Sequence, residues 1–315
     1  MRYTKEGQQI QKDSGVFFCT HGRLNNASEG DLRYMNGIRY VNLWHGVPFK
    51  QVGDDERALI VKQTWWKKIK TRIRKCIVPW EFITGEMVCG SPFFKPFLQS
   101  AFGKYFNLIN TPEPRLDKLV SPTPDSITTE LNLQFENPLK ILYMPTFRDT
   151  NFGKFNPFEM AGFNRERLEK MLKSQNMVLL YKGHFLDQQN GVTHIDERIR
   201  VVGDTDYDDL YTFIKDVDVL ITDYSSIYFD FLCLRKPMIL FPFDYSDYSA
   251  HSRKSYFDYN LMEAKRVYTW QEMEECLKKK TYYPPSEEEI QRFRPLPIGN
   301  CCEQLVNILR KTSKQ

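Results

Sequence analysis

The sequence is notable first for the features it lacks. No run of 18 apolar residues is present, so no segment is predicted to cross a membrane as a helix. The N-terminal residues lack the apolar core of a secretory signal peptide. The seven cysteines are scattered and form no Cys-x-x-Cys pair, which argues against a zinc site and favours reduced thiols. These absences predict a cytoplasmic protein with no integral membrane segment.

Charge and length further limit the possible functions and the domain organisation. The net charge is only +4, so any electrostatic function depends on local clusters rather than on the total. A chain of 315 residues is long enough for two domains, and residues 121–138, polar and containing three prolines, are typical of a junction. We therefore expect one domain over 1–137 and another over 138–315. Predicted strands alternate with predicted helices in both; helices are predicted over 165–174 and 270–279, and a loop over 245–259. This alternation indicates an α/β fold of two doubly wound domains facing a cleft.

Residues 217–243 are the most informative stretch. They predict a buried strand over 217–223, a helix over 227–234 and a second buried strand over 238–243, which together form a βαβ unit of a parallel sheet. Asp223, Ser225 and Ser226 follow the first strand, at the sheet edge where ligands bind in such folds. Two hydroxyls beside helix amides suit a phosphate group. The alternative is that a serine only caps the helix.

Two histidines occupy equivalent positions in the two predicted domains. His45 follows a predicted strand over 39–44, and His184 follows a predicted strand over 177–181. A glycine adjoins each histidine, and glycine lets another group approach the backbone closely. Both histidines are therefore candidates for contact with a substrate, and a purely structural role is the alternative for each.

Residues 64–80 are strongly basic and contain no acidic residue. Apolar residues recur at helical spacing, with tryptophan among them, so the segment predicts an amphipathic helix suited to an anionic membrane surface. A surface helix packed on the core is one alternative, and a nucleic-acid contact is another. The residues that carry the membrane interpretation are Trp65, Trp66, Lys67, Lys68, Lys70 and Arg74.

Six segments of the chain resemble, in order and spacing, the CDP-glycerol glycerophosphotransferase family, the bacterial enzymes that prime and polymerise wall teichoic acid and related capsule polymers. The resemblance runs from about residue 40 to the C-terminus. It implies a GT-B-like fold, in which two Rossmann-like domains face a central cleft and the C-terminal domain holds most of the donor. The six segments are WHGVPFK (44–50), PRLD (114–117), YMPTFRD (143–149), YKGHF (181–185), ITDYSSIYFDFLCLRKPMILFPFD (221–244) and SYFDYN (255–260).

The resemblance also implies an activity and a location. Members of this family move glycerol phosphate, or ribitol phosphate in close relatives, from a CDP-polyol to a hydroxyl of an undecaprenyl-linked acceptor, releasing CMP. They lie on the cytoplasmic face of the cell membrane as monotopic proteins, which favours the membrane interpretation of residues 64–80. We expect CDP-glycerol or CDP-ribitol, the lipid-linked acceptor and the anionic membrane as partners, and no nucleic acid. No cofactor and no metal are expected.

The family reaction is a phosphoryl transfer, which needs positioning, charge neutralisation and a base. Under the resemblance His45 is the base, since a neutral imidazole with an ordinary pKa near ~6.5 can accept a proton at cytosolic pH. His184 stabilises the charge on departing CMP, and Asp223 orients the loop that follows it. The donor pyrophosphate is assigned to Ser225, Ser226 and Arg148, and the cleft candidates are Arg115 and Asp117.

The sequence departs from the family pattern in three places. Only 44 residues precede His45, so the first domain is trimmed or the chain is a fragment. The motif around Arg115 and Asp117 keeps only those two residues, and the segment 182–185 keeps His184 but has no proline after it. Two other functions stay open, a GT-B glycosyltransferase that uses a nucleotide sugar and a non-catalytic nucleic-acid-binding protein. The choice between glycerol and ribitol, between primase and polymerase, and between teichoic acid and capsule also stays open.

Overall fold

The chain divides into two compact units. The computed structural model describes residues 4–20, 38–60, 85–104, 106–122, 127, 131–146, 156–183, 197–251 and 254–312. Unit 1 comprises Met1–Pro114 together with Asn300–Gln315, and unit 2 comprises Arg115–Gly299. The division therefore falls after Pro114 and again after Gly299, whereas a single boundary between residues 137 and 138 was predicted from the sequence.

In the described part of unit 1, four strands form a parallel sheet in the order β1-β2-β3-β4. Its strands are β1 (Val16–Cys19), β2 (Arg39–Asn42), β3 (Gly85–Cys89) and β4 (Phe106–Asn110). Its described helices are α1 (Lys5–Asp13), α2 (Gly53–Ile60), α3 (Lys95–Phe102) and the C-terminal helix (Cys301–Thr312). None of α1, α2 and β4 was predicted from the sequence.

Apolar side chains cover both faces of this sheet, as expected for parallel strands. One face packs Tyr40 and Met87 against Phe102 of α3. The other face packs Val41 and Val88, among others, against Leu305 and Leu309 of the C-terminal helix. This contact explains why the last helix belongs to unit 1: its apolar stripe is buried against the first sheet rather than the second.

Arg39 fastens the C-terminal helix at its end. Its guanidinium pairs with Glu86 on β3, with Nη2–Oε1 at 2.6 Å, and donates to the carbonyl oxygen of Leu309 at 2.5 Å. It also donates to the hydroxyl of Thr312. Arg39 therefore links β3 to the last turns of the C-terminal helix. A cation is favoured at that end of a helix because the helix dipole is negative there.

Among the residues of unit 2 that the structure describes, six strands form a parallel sheet in the order β10-β9-β8-β5-β6-β7. Its strands are β5 (Leu139–Tyr143), β6 (Met177–Tyr181), β7 (Ile199–Val201), β8 (Val219–Thr222), β9 (Met238–Leu240) and β10 (Lys265–Arg266). The chain runs outward from β5 to β7, then returns to β8 on the other side of β5 and runs outward again. The strand order therefore reverses between β5 and β8.

Six α-helices lie in the described part of unit 2. They are α4 (Arg165–Ser174), α5 (Leu210–Lys215), α6 (Ile227–Phe231), α7 (Tyr245–His251), α8 (Trp270–Lys279) and α9 (Glu287–Phe293). Short 3₁₀ segments accompany them at Pro114–Val120, Pro157–Glu159, Leu232–Leu234 and Tyr259–Leu261. The 3₁₀ segment after α6 completes the helix predicted over 227–234. The prediction of a loop over 245–259 was wrong for 245–251, and α9 was not predicted.

The core of unit 2 contains a cluster of large aromatic side chains. Trp270 of α8 is 1% exposed and packs against Tyr143, Phe158 and Phe241. Its indole nitrogen donates to the carbonyl of Pro157 at 2.9 Å, so the buried polar group is satisfied.

No helix among the described residues is both long and apolar enough to cross a membrane.

Candidate active site

The carboxyl ends of β5 and β8 form the centre of the candidate site in unit 2. In open parallel sheets, ligands bind at this edge where the strand order reverses, because the chain diverges there and leaves a crevice. Asp223 follows β8 and is fully buried. Its carboxylate accepts from the amide of Thr146, after β5, at 2.8 Å and from the amide of Tyr224 at 2.6 Å. Asp223 thus joins the two loops that flank the reversal.

Ser225 and Ser226 follow at the same edge and are both half-buried. In the part of the chain that the structure describes, the Ser226 side chain makes no capping hydrogen bond to α6. The Ser225 hydroxyl lies 3.5 Å from the amide of Ile227, at the outer limit for a hydrogen bond. Helix capping therefore does not account for Ser226 and accounts only weakly for Ser225. The assignment of both to the pyrophosphate stays a prediction.

A group of tyrosines fixes this loop from behind. The ring of Tyr224 stacks on Tyr248 with the centroids 4.0 Å apart, and its hydroxyl donates to Asp244 at 3.0 Å. Burial, together with the charge of Asp244, raises the pKa of Tyr224 far above its ordinary value. The hydroxyl of Tyr259 donates to the carbonyl of Asp223 at 3.2 Å. The segment after β9 therefore packs on the serine loop and restricts its movement.

Lys182 lies at the end of β6 and was not singled out from the sequence. It is only 5% exposed, and its ammonium group lies 2.5 Å from Asp204 and 5.1 Å from the centre of the Tyr207 ring. A lysine directly after a buried apolar strand was the available signal, since such positions meet the ligand edge of the sheet. Lys182 adds a cation two residues before His184 in the chain.

His45 lies at the corresponding edge of unit 1, three residues after β2 ends. Its ring is exposed to solvent, and its Nδ1 lies 2.9 Å from the carbonyl oxygen of Thr20. Trp44 precedes it, with the two ring centroids 4.4 Å apart. The structure thus presents the imidazole at the carboxyl ends of β1 and β2, as the strand pattern of the sequence predicted.

Arg115 and Asp117, the cleft candidates, lie in the 3₁₀ segment Pro114–Val120. Arg115 makes two hydrogen bonds of 3.1 Å to the carboxylate of Asp230, which is almost fully buried. Arg294 donates to the same carboxylate, and the hydroxyl of Tyr211 lies 2.6 Å from it. Burial acts to raise the pKa of Asp230, but the two guanidinium groups outweigh it and hold that pKa below its ordinary value. Arg115 thus has a structural partner in unit 2.

Several site predictions fall outside the described residues. Among the residues that the structure describes, no group of three or more His, Cys, Asp or Glu side chains could hold a metal ion. The predictions that cannot be placed in the structure are His184, Arg148, Trp65, Trp66, Lys67, Lys68, Lys70 and Arg74.

The two parallel sheets and the helices that alternate with their strands define an α/β protein. Solved structures agree: a structure of the wall teichoic acid polymerase TagF matches 99% of this chain and 76% of its own, with a TM-score of 0.73 and 20% identity. The sequence model of CDP-glycerol:poly(glycerophosphate) glycerophosphotransferases matches residues 22–306. The chain therefore belongs to that family.

Two curated relatives are a teichoic acid transferase and a teichoic acid polymerase. The teichoic acid glycerol-phosphate transferase of Staphylococcus aureus (strain NCTC 8325 / PS 47) is 31% identical over 228 residues, covering 70% of this chain and 56% of the relative. The teichoic acid poly(glycerol phosphate) polymerase of Bacillus spizizenii (strain ATCC 23059 / NRRL B-14472 / W23) is 28% identical over 228 residues, covering 70% and 55%. The chain spans about half the length of these relatives.

Proposed function

We propose that this protein transfers glycerol phosphate or ribitol phosphate from a CDP-polyol to a hydroxyl group of a lipid-linked teichoic acid or capsule acceptor, releasing CMP. The observation that carries the proposal is the family match over residues 22–306, because it includes both the His45 edge of unit 1 and the serine loop of unit 2. We further propose that the fold is GT-B-like, with two Rossmann-like domains.

In the proposed reaction His45 is the general base. The O–H bond of the acceptor hydroxyl breaks as an N–H bond forms on the imidazole, and the oxygen attacks the phosphorus that carries the polyol. The bond from that phosphorus to the bridging oxygen breaks, and its electron pair leaves with CMP. The imidazolium then returns its proton to solvent, which the exposure of the His45 ring permits. Such proton transfer typically contributes about 10²–10⁴-fold in rate.

The donor pyrophosphate is assigned to the edge of unit 2. Ser225 and Ser226 supply hydroxyl donors, and buried Asp223 holds their loop through main-chain amides. Arg148 and His184 supply positive charge or hydrogen bonds as negative charge grows on CMP. A preorganised loop of this kind needs little reorganisation in the transition state. Phosphoryl transfer depends on such positioning and on electrostatic stabilisation.

The proposal is tested by CMP release. The protein is incubated with CDP-glycerol, CDP-ribitol or a nucleotide sugar, each with a short lipid-linked acceptor analogue. Release of CMP that depends on the acceptor, with one of the two CDP-polyols, supports the proposal and identifies the polyol. Transfer of a sugar from the nucleotide sugar, without CMP release from either CDP-polyol, would instead identify a glycosyltransferase.

We also propose that the protein associates peripherally with the cytoplasmic face of the membrane through residues 64–80. The acceptor carries an undecaprenyl chain, so the enzyme has to reach the bilayer surface, and each Lys or Arg near an anionic surface contributes about 1 kcal/mol. Replacement of Lys67, Lys68, Lys70 and Arg74 by Gln, with Trp66→Ser, should release the protein from vesicles that contain phosphatidylglycerol. Unchanged co-sedimentation would remove this segment as the anchor.

A matched variant controls for loss of charge alone. Lys278, Lys280, Arg310 and Lys311 are exposed cations in the two units, and their replacement by Gln removes the same number of charges. This control should still sediment with the vesicles. Activity on a soluble acceptor analogue should be retained by both variants, which separates membrane binding from catalysis.

A further inference from the structure

Trp44 has a backbone conformation that is unfavourable for its side chain. Its φ is +57°, in the left-handed region that bulky residues rarely adopt. The side chain is 8% exposed, and its indole nitrogen is buried without a hydrogen-bond partner among the described residues. Both features reduce stability, and strained residues of this kind cluster at functional sites, where the surrounding structure enforces them.

Asn42 enforces this conformation. Its side chain is fully buried, and its Oδ1 accepts a hydrogen bond of 2.8 Å from the amide of Trp44. The Trp44 ring packs edge-on against Phe102 of α3, with the two ring centroids 4.9 Å apart. The main chain therefore turns sharply after β2, and the residue carried beyond this turn is His45.

The same turn brings His45 to a main-chain acceptor directly after the neighbouring strand. The amide of Leu43 donates to the carbonyl of Cys19 at 2.7 Å, which continues the pairing of β1 with β2 beyond their last residues. The next carbonyl along, that of Thr20, lies 2.9 Å from Nδ1 of His45. A carbonyl oxygen can only accept a hydrogen bond, so the proton of a neutral His45 ring lies on Nδ1. Nε2 is then the unprotonated nitrogen.

We propose that Asn42 and Trp44 are positioning residues that, with the Thr20 carbonyl, fix His45 as the Nδ1–H tautomer, so that Nε2 is the atom that accepts the proton of the acceptor hydroxyl. The inference rests on the proposed function, since it specifies the geometry of the same base. It explains why a strained, buried tryptophan precedes an exposed histidine: the turn fixes the ring on which proton transfer depends.

The tautomer is measured directly, without any substrate. Protein labelled with ¹⁵N in histidine is examined by long-range ¹⁵N–¹H correlation at a pH where the rings are neutral, and His45→Gln identifies the His45 signals. A protonated and an unprotonated ring nitrogen resonate far apart. We expect the protonated signal to belong to Nδ1. Free histidine in water favours the opposite tautomer, so a predominant Nε2–H form would overturn the inference while leaving the proposed transferase activity untouched.

The positioning role is tested by kinetics. Asn42→Ala removes the acceptor for the Trp44 amide, and we expect kcat to fall about 10–100-fold while KM for CDP-glycerol changes less than about twofold. Asn42→Asp retains an oxygen acceptor at the same place and should recover most of the lost kcat. In Asn42→Ala, the His45 spectrum should show a mixture of tautomers.

A matched control separates positioning from general loss of stability. Asn164→Ala removes an equivalent bond, from the amide of Arg167 to Asn164 Oδ1 at 2.8 Å, at the start of α4 in unit 2. This variant should keep the wild-type kcat and the wild-type His45 spectrum. If Asn42→Ala is folded by circular dichroism and also keeps the wild-type kcat and the wild-type His45 spectrum, Asn42 has no positioning role. If it does not fold, Trp44→Phe provides the same kinetic and spectroscopic comparison with a smaller ring.

Discussion

His45 in unit 1 and the serine loop in unit 2 both follow a parallel strand, and in both a buried polar side chain binds main-chain amides, but the two differ in exposure. His45 is exposed, and its ring is fixed by the left-handed turn at Trp44, which buried Asn42 enforces, and by the carbonyl of Thr20. The serine loop is fixed by buried side chains, with Asp223 binding main-chain amides and Tyr224 stacking behind. A group that exchanges protons needs access to solvent and substrate, whereas a site for a pyrophosphate gains from a rigid buried support.

Among the substitutions that test this comparison, the largest effect is expected at His45. His45→Ala should lower kcat by about 10²–10⁴-fold, because the proposed general base is lost, and should leave the affinity for CDP-glycerol unchanged. Steady-state kinetics and calorimetry measure the two quantities separately. Turnover within about threefold of wild type would remove His45 from the mechanism.

In unit 2, the largest loss of folding stability is expected from a substitution of Asp230. Asp230→Ala leaves the guanidinium groups of Arg115 and Arg294 without their shared carboxylate, and breaking a buried charge pair costs about 3–5 kcal/mol. Urea denaturation should show this loss in the transition of unit 2. A loss no larger than that of a surface substitution would mean that the cluster is open to water in solution.

The pH dependence of stability tests the same cluster. The pKa of Asp230 in the folded protein lies below the unfolded value of about 3.9, so its contribution is fully present above that value and is lost as the pH falls through the folded pKa. The difference in unfolding free energy between wild type and Asp230→Asn should therefore be constant above about pH 5 and shrink in more acidic solution. A difference that grows on acidification contradicts the assigned direction.

A smaller effect is expected at the serine loop. Ser225→Ala and Ser226→Ala should each weaken CMP and CDP-glycerol binding about 10–100-fold, the usual value of a hydrogen bond to a charged group. Calorimetry provides the measurement. Ser286→Ala is the control, since Ser286 caps α9 by accepting from the amide of Glu289 at 3.0 Å, and its loss should leave ligand affinity unchanged. Equal affinity in all three variants would refute the pyrophosphate assignment.

The smallest effect is expected where an ion pair is exposed. Arg235 and Glu287 lie 2.5 Å apart, yet both side chains are more than half exposed, so water and salt screen their attraction. Glu287→Gln should produce no measurable shift in the denaturation midpoint. A clear loss of stability here would break the contrast between buried and exposed charge on which the Asp230 prediction depends.

The sequence alone determined the elements that local forces specify. The predicted helices at Arg165–Ser174 and Trp270–Lys279 and the predicted strand at Met177–Tyr181 agree with the structure residue for residue. Asn164 and Thr269 cap the two helices, and the strand is an unbroken apolar run, so each signal lies within a few residues of the element. The order of motifs likewise identified the family before any fold was known.

The tertiary structure alone decided what depends on distant partners. The C-terminal helix joins unit 1 because Leu305 and Leu309 pack on its sheet, although the helix follows unit 2 in the chain. Arg115 reaches Asp230, which lies 115 positions away, and no local pattern marks that pair. The left-handed turn at Trp44 depends on the buried amide of Asn42 and on packing against Phe102. Local sequence determines propensity, whereas long-range packing and buried charge select the partner and can enforce a conformation that propensity disfavours.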